Sequence, residues 1–388
     1  MDKKPEKLVP EVRFKGFTDD WEQRKFDNVV KRINDKDDNP ELPHIEFENI
    51  ISGNGTLNKN IKDLNSKKIG TKFQKEDILF GKLRPYLKNW YFAKENGIAV
   101  GDFWVLRAKK ISVFVYYLIQ TEKFYSIANL SSGSKMPRSD WNLVSNSRFN
   151  FPENTIESIK IGNLILQLDK LITLQQRKLK QLERLKTAML QQLLANQRFP
   201  KVRFNDFKDS WKDYRLGEVF DEFSVKSKRE NEYKLLSSTT SGMESRSGRV
   251  SGHSNIGYKV IDNGDIVLSP QNLWLGNINL NNMGKGIVSP SYHTFKIVNA
   301  NPIFVNFQLK TEKMLFEYKM VSVQGASVVR RNLDMDAFKK IVIKIPNEKE
   351  QIKIASLFSS ISNIINNHQN KLTQLSTLKK YLLQKMFI

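Results

Sequence analysis

Leu164, Leu168, Leu171, Ile172, Leu179, Leu182, Leu185, Met189 and Leu193 recur at spacings of three and four or their sums, with polar residues on the opposite face. That period predicts one long amphipathic helix. Its start is specified locally: Pro152 precedes it, and Asn154 with Glu157 three residues on resembles a capping box, while Pro200 closes the segment. From about Asn154 to Ala195 is roughly 40 residues, or about 60 Å at 1.5 Å per residue, too long for a helix lying on one small domain. It needs a long partner.

The same pattern returns near the C-terminus. Gln176-Arg-Lys-Leu-Lys-Gln-Leu-Glu-Arg-Leu-Lys186 is matched by Gln369-Asn-Lys-Leu-Thr-Gln-Leu-Ser-Thr-Leu-Lys379, with Asn154 falling on Asn347, Glu157 on Glu350, Ile161 on Ile354 and Leu164 on Leu357. A second repeat lies upstream of each helix. Pro10-Glu-Val-Arg-Phe-Lys-Gly-Phe-Thr-Asp-Asp-Trp21 recurs as Pro200-Lys-Val-Arg-Phe-Asn-Asp-Phe-Lys-Asp-Ser-Trp211. The chain is therefore a tandem duplication of leader, middle and helix, and the two helices are expected to pack antiparallel as a coiled coil. Homodimerisation through either helix is the alternative.

The middles diverge, keeping islands only at Asp77-Ile-Leu against Asp265-Ile-Val and at Gly133 to Arg138 against Gly325 to Arg330. Short strand-like runs, Asp77-Ile-Leu-Phe, Gly101 to Leu106, Asp265-Ile-Val-Leu and His293 to Val298, alternate with helical pieces at Val113 to Gln120 and Phe304 to Lys313. The expected class is α/β (α+β), with two globular domains separated by two long helices. The expected boundaries are 1–150 for the first domain with its leader, 151–198 for the central helix, 199–345 for the second domain and 346–388 for the C-terminal helix. Matched frames with unmatched contents suit two different recognition surfaces on one scaffold. A duplicated enzyme would keep its site residues in the matched part.

Charge names the kind of partner. Lys and Arg number 63 against 41 Asp and Glu, a net charge of +22 over 388 residues, while 39% of the residues are hydrophobic. The chain has cores to fold around and an excess of cations for a polyanion, with nucleic acid the leading candidate. The absence of Cys excludes disulfides, a thiol nucleophile and Cys-based zinc modules. The charged N-terminus lacks an apolar signal region and no stretch of about 20 apolar residues occurs, so a cytoplasmic protein without membrane contact is expected.

A search for chemistry finds little. Asn301-Pro-Ile-Phe304 misses the second Pro of an adenine methyltransferase loop and reads as a helix start with Pro in the first turn. Met283-Gly-Lys-Gly286 lacks the spacing and hydroxyl of a phosphate-binding loop. The four His, at 44, 253, 293 and 368, make no i, i+4 metal pair. Glu232-Tyr-Lys234 and Glu317-Tyr-Lys319 match the tail of a nuclease motif that is frequent by chance. No catalytic and no metal-binding residue is assigned. A DNA methyltransferase or nuclease with its own site, and a coiled-coil scaffold binding by charge alone, stand as alternatives.

Bases are read by Arg or Lys on guanine and by Asn or Gln on adenine, while cations and hydroxyls on phosphates fix register. Two loop-like segments per domain carry such groups. In the first domain the candidates are Lys82, Arg84, Tyr86 and Lys88, then Lys135 and Arg138. In the second they are Gln271, Asn272 and Trp274, then Ser327, Arg330 and Arg331, with Arg246 and Arg249 on a third basic loop.

The doubled Pro-x-Val-Arg-Phe-x-x-Phe-x-x-x-Trp leader and the doubled long-helix segment resemble the specificity subunit of a Type I restriction-modification system, over residues 9 to 388. The resemblance implies two target recognition domains, each reading one half of an asymmetric bipartite site in double-stranded DNA. It implies no cofactor on this chain. Two modification subunits would methylate adenine from S-adenosylmethionine, and two motor-nuclease restriction subunits would use ATP and Mg. The helices would dock those partners through Leu168, Leu171, Leu179, Leu182 and Leu185, and through Leu372, Leu375 and Leu378. One departure is that Asp169, which commonly ends a Leu-Asp pair in this family, is matched by Ser362.

Overall fold

The computed structural model describes residues 9–130, 136–194, 196–246, 254–324 and 330–388. The chain forms two compact units, one of residues 1–176 with 370–388, the other of residues 177–369. Each unit takes part of both long helices, Thr155–Leu193 and Glu348–Lys385.

The first unit opens with a strand pair, Glu22–Lys25 antiparallel to Arg148–Phe151. A four-stranded antiparallel sheet follows in the order Val30–Ile33, Phe103–Ala108, Ile78–Gly81, Trp90–Phe92. A second sheet runs Lys36–Asp37, Gly70–Phe73, Gly97–Ala99, His44–Ile45, its last pair parallel. The second unit repeats this plan. Lys212–Arg215 pairs with Val342–Ile345, and the main sheet orders Phe220–Phe223, His293–Ile297, Ile266–Leu268, Ile278–Leu280. Its other sheet runs Met243–Ser245, Lys234–Ser238, Gly286–Val288, Lys259–Ile261, again with one parallel pair. The Asp77 and Asp265 runs and the Gly101 and His293 runs become the two central strands of each main sheet, which explains their near-continuous apolar character.

The leaders are structural. Trp21 and Trp211 are buried, each edge-on to a Phe of the helix after the main sheet, Phe114 and Phe304, at 5.8 Å. Arg13 donates from Nε and Nη2 to both carboxylate oxygens of Glu157, at 2.6 and 3.0 Å, and Arg203 does the same to Glu350 at 2.7 and 2.6 Å. Both glutamates are 0% exposed. Asn154 and Asn347 cap the helices with their side-chain oxygens, as expected. The glutamates expected to complete a capping box instead give both oxygens to the leader Arg, whose two parallel donors match a carboxylate better than one backbone amide does. Lys160 over Phe14 and Phe17, and Lys353 over Phe204 and Phe207, fasten the same leaders by cation–π contact.

The helical stretch expected over Phe304 to Lys313 is two helices, Pro302–Gln308 and Glu312–Met320. Thr311 breaks it: its backbone is extended and its hydroxyl donates to the Gln308 carbonyl. Thr121 breaks the first unit at the same place, between Ser112–Leu118 and Glu122–Ala128.

On Thr155–Leu193 the stripe read in the sequence is buried at Leu168, Ile172, Leu179 and Leu193 and is extended towards the N-terminus by Ile161 and Ile165, while Leu171 and Leu185 are exposed. Leu182, Leu372 and Leu375 are half-buried and Leu378 is exposed. Within the first unit Lys379 pairs with Asp169 at 2.7 Å, and Ile161 and Ile165 share a core with Leu382 and Met386, so the helices are antiparallel there. Within the second unit Lys186 donates to Ser362 at 2.9 Å, and Leu193 shares a core with Ile354.

Candidate nucleic-acid interface

The two loop segments singled out in each middle meet in space. In the first unit the strand Ile78–Gly81 runs into Lys82, Leu83 and Arg84, then a 3-10 turn at Pro85–Leu87. The Arg84 N–H donates to the Pro137 carbonyl at 2.8 Å, the Ser139 N–H donates to the Lys82 carbonyl at 2.9 Å, and Leu83 bridges Arg138. Asp102, at the start of the central strand, gathers the cations: Arg138 lies 3.0 Å and Lys82 3.5 Å from its carboxylate. Arg84 Nε is buried without a partner among the described residues, and Lys88 lies over the Tyr125 ring. Tyr86, Lys88 and Arg138 are exposed. Lys135 lies outside the described residues.

The second unit builds the same junction from different residues. Ile266–Leu268 leads into Ser269 to Asn272 and a 3-10 turn at Leu273–Leu275. Here the Arg331 N–H donates to the Gln271 carbonyl at 3.1 Å. Arg331 stacks over Trp274 at 5.4 Å and donates from Nη1 to the carbonyls of Ser322 and Lys319, so its guanidinium also pins the hairpin Ser322–Gln324/Arg331–Leu333. Gln271 and Arg330 are exposed, and Asn272 Oδ1 is buried without a partner among the described residues. Arg246 is exposed at the end of Met243–Ser245. Arg249 and Ser327 lie outside the described residues.

Sequence reading passed over the hairpin Ile50–Ile51/Thr56–Leu57, which touches the first junction. The Gly53 N–H donates to the Lys88 carbonyl at 2.9 Å, and Ser52 donates to Asn89 at 2.7 Å. Asn54-Gly55 was its sequence signal. Gly55 is needed there: a Cβ would stand 2.2 Å from the Tyr116 hydroxyl.

Two side chains that invited a catalytic reading have local duties. Asn301 Oδ1 accepts from the N–H groups of Ile303 and Phe304, both at 3.0 Å, so Asn301-Pro302 is a helix cap. Glu232 accepts from the backbone of Lys228 and Arg229, which lowers its pKa.

Residues 208–377 match the family described as the Type I restriction modification DNA specificity domain. This stretch is similar to a Type I restriction-modification specificity domain. Its main-sheet order is that of the first unit as well. No curated protein matches the sequence. Among solved structures, the S subunit of a Type I restriction-modification system from M. genitalium has a TM-score of 0.64 at 14% identity, covering 98% of this chain and 99% of that one. A chain from a study of complex assembly and conformational transition of the type I R-M system has a TM-score of 0.52 at 18% identity, covering 97% and 99%. At these identities the likeness is one of fold, and it spans both halves of the duplication. Among the described residues no helix is long and apolar enough to cross a membrane.

Proposed function

We propose that the chain is the DNA-reading subunit of a Type I restriction-modification assembly, non-catalytic in itself, with each unit reading one half of an asymmetric bipartite site. The observation that carries this is the doubled loop junction: backbone hydrogen bonds join the corresponding two loops in both units, while the side chains differ. The first junction offers Lys82, Arg84, Lys88 and Arg138, cations suited to phosphate and guanine. The second offers Gln271 and Asn272, amides suited to adenine, beside Arg330 and Arg331. Arg246, exposed at the end of Met243–Ser245, is a further candidate cation in this reading.

Chemistry falls to partners. Modification subunits would bring S-adenosylmethionine for adenine methylation, and restriction subunits ATP and Mg, in the cytoplasm with the chromosome; a pair of each would suit a duplicated scaffold. The long helices carry the docking leucines, with Leu171, Leu185 and Leu378 already exposed. The test maps modified adenines in a host with and without this chain beside its modification partner. A bipartite motif present only with both is the expected result, and methyl transfer by the purified chain alone would sink the reading.

A further inference from the structure

Each middle exposes apolar side chains on its 3-10 turn. In the first unit Arg84 and Lys88, at φ of 47° and 58°, hold left-handed backbone on either side of Pro85–Leu87. Neither is glycine, and such backbone costs on the order of 1 kcal/mol per residue, so the surrounding junction holds the turn in place. Pro85 is buried, whereas Tyr86 is 54% and Leu87 40% exposed. The turn packs on the helix Glu122–Ala128, after which Leu130 is exposed.

The second unit repeats the order buried apolar, aromatic, exposed leucine. Leu273 is buried, Trp274 lies under Arg331, and Leu275 is 39% exposed. This turn packs on Glu312–Met320, whose Phe316 and Met320, one helical turn apart, are both exposed. Sequence around the two turns has drifted, yet both expose a leucine as the last residue of the turn, with Tyr86 beside it in the first unit and Trp274 drawn back against the core in the second.

Exposed apolar tips on a rigidly held turn suit a binding contact, and the rim says for what. Lys82, Arg84 and Lys88 flank the first tip, and Lys319, Arg330 and Arg331 the second, on a chain of net charge +22. A polyanion with apolar faces inside its charged envelope fits both features, and stacked bases are those faces.

We propose that Tyr86–Leu87 in the first unit and Leu275 in the second are wedges that lodge against base faces, each unstacking one step of its half-site. This rests on the reading of the chain as a DNA-reading subunit. It adds a distortion of the duplex to the hydrogen-bonded reading of base edges.

The experiment first recovers a preferred duplex from a randomised pool with the full chain, then replaces its bases one at a time with 2-aminopurine, whose fluorescence is quenched by stacking. A severalfold rise at one step in each half is expected on binding. Tyr86→Ala with Leu87→Ala should remove the rise in one half and weaken binding roughly tenfold, and Leu275→Ala should act on the other half alone, with unchanged melting temperatures. Lys82→Ala should lower affinity and the salt dependence while leaving the rise intact at saturating protein. A preferred duplex bound with no rise at any position, or a rise indifferent to the tip variants, overturns the wedges and leaves the DNA reading standing. Tip variants that bind DNA normally but lose a modification subunit would make the tips protein contacts and overturn the proposal too. Recovery of no preferred duplex overturns the DNA reading, and the wedges with it.

Discussion

Arg13 and Arg203 show what one side chain does in this duplication. Each neutralises a fully buried glutamate in the first turn of a long helix, and removing either Arg strands that charge in a medium that solvates it poorly. Arg203→Ala should therefore destabilise its unit by about 3 to 5 kcal/mol, measured by denaturant unfolding. Arg203→Met with Glu350→Leu should recover most of the loss, since it removes both charges together. The Asp169 to Ser362 departure has an equally local meaning. In the first unit Asp169 holds Lys379 and accepts from the Tyr117 hydroxyl at 2.9 Å. In the second, Lys186 meets only a hydroxyl and lies over Phe307, with Lys310 close by. Burial, then repulsion from Lys186, pushes the Lys310 amine down to about 8 from an ordinary 10.5. Between those two values the unfolded chain binds more protons than the folded one, so stability rises with pH across that window and the burial penalty stands in full below it. The slope is at most about 1.4 kcal/mol per pH unit. Ser362→Asp, which rebuilds the first unit's pair, should stabilise the protein by about 1 kcal/mol at pH 7 and flatten the slope between pH 8 and 10, and Lys310→Met should abolish that share of it. Equal slopes in all three proteins would show that Lys310 is not the titrating group.

At the scale of the element, the long helices bury some of their leucines and expose others. Leu168 and Leu179 are spent inside, where truncation opens a cavity. Leu171 and Leu185 stand in solvent one or two helical turns from buried neighbours, and a charge there displaces no packing. Leu171→Glu with Leu185→Glu should leave thermal unfolding within about 0.5 kcal/mol of the parent and reduce recovery of the modification subunit in co-purification. Undiminished recovery would move the docking surface off this face. The helical period was legible at once, and most of the stripe is buried or half-buried as read, with Leu171 and Leu185 the exceptions. Spacing reveals that a face is apolar, but not which of its leucines a neighbour covers.

For the whole molecule, the duplication means that two frames with common leaders, main-sheet orders and loop junctions carry different contents. Replacing residues 31–150 with the middle of another such chain should change one half of the recognised site and leave the other, as read by mapping modified adenines. A simultaneous change in both halves would mean that the units do not read independently.

The sequence alone determined the repeat, the long helices with their Asn caps, the mixed class and the basic balance, because each is written in local order or in sums. It also singled out the candidate segments, since loops rich in Arg, Lys, Gln and Asn stand out between apolar strands. Tertiary structure alone decided how those segments meet. The bonds from Arg84 to Pro137 and from Arg331 to Gln271 join residues more than 50 positions apart, and no periodicity records such a pairing. It likewise decided that the repeated Arg of the leader answers the repeated Glu of the helix, across 144 residues in one unit and 147 in the other. The motif had been visible as a pattern, but its cause was a buried charge, and burial is a property of the folded chain.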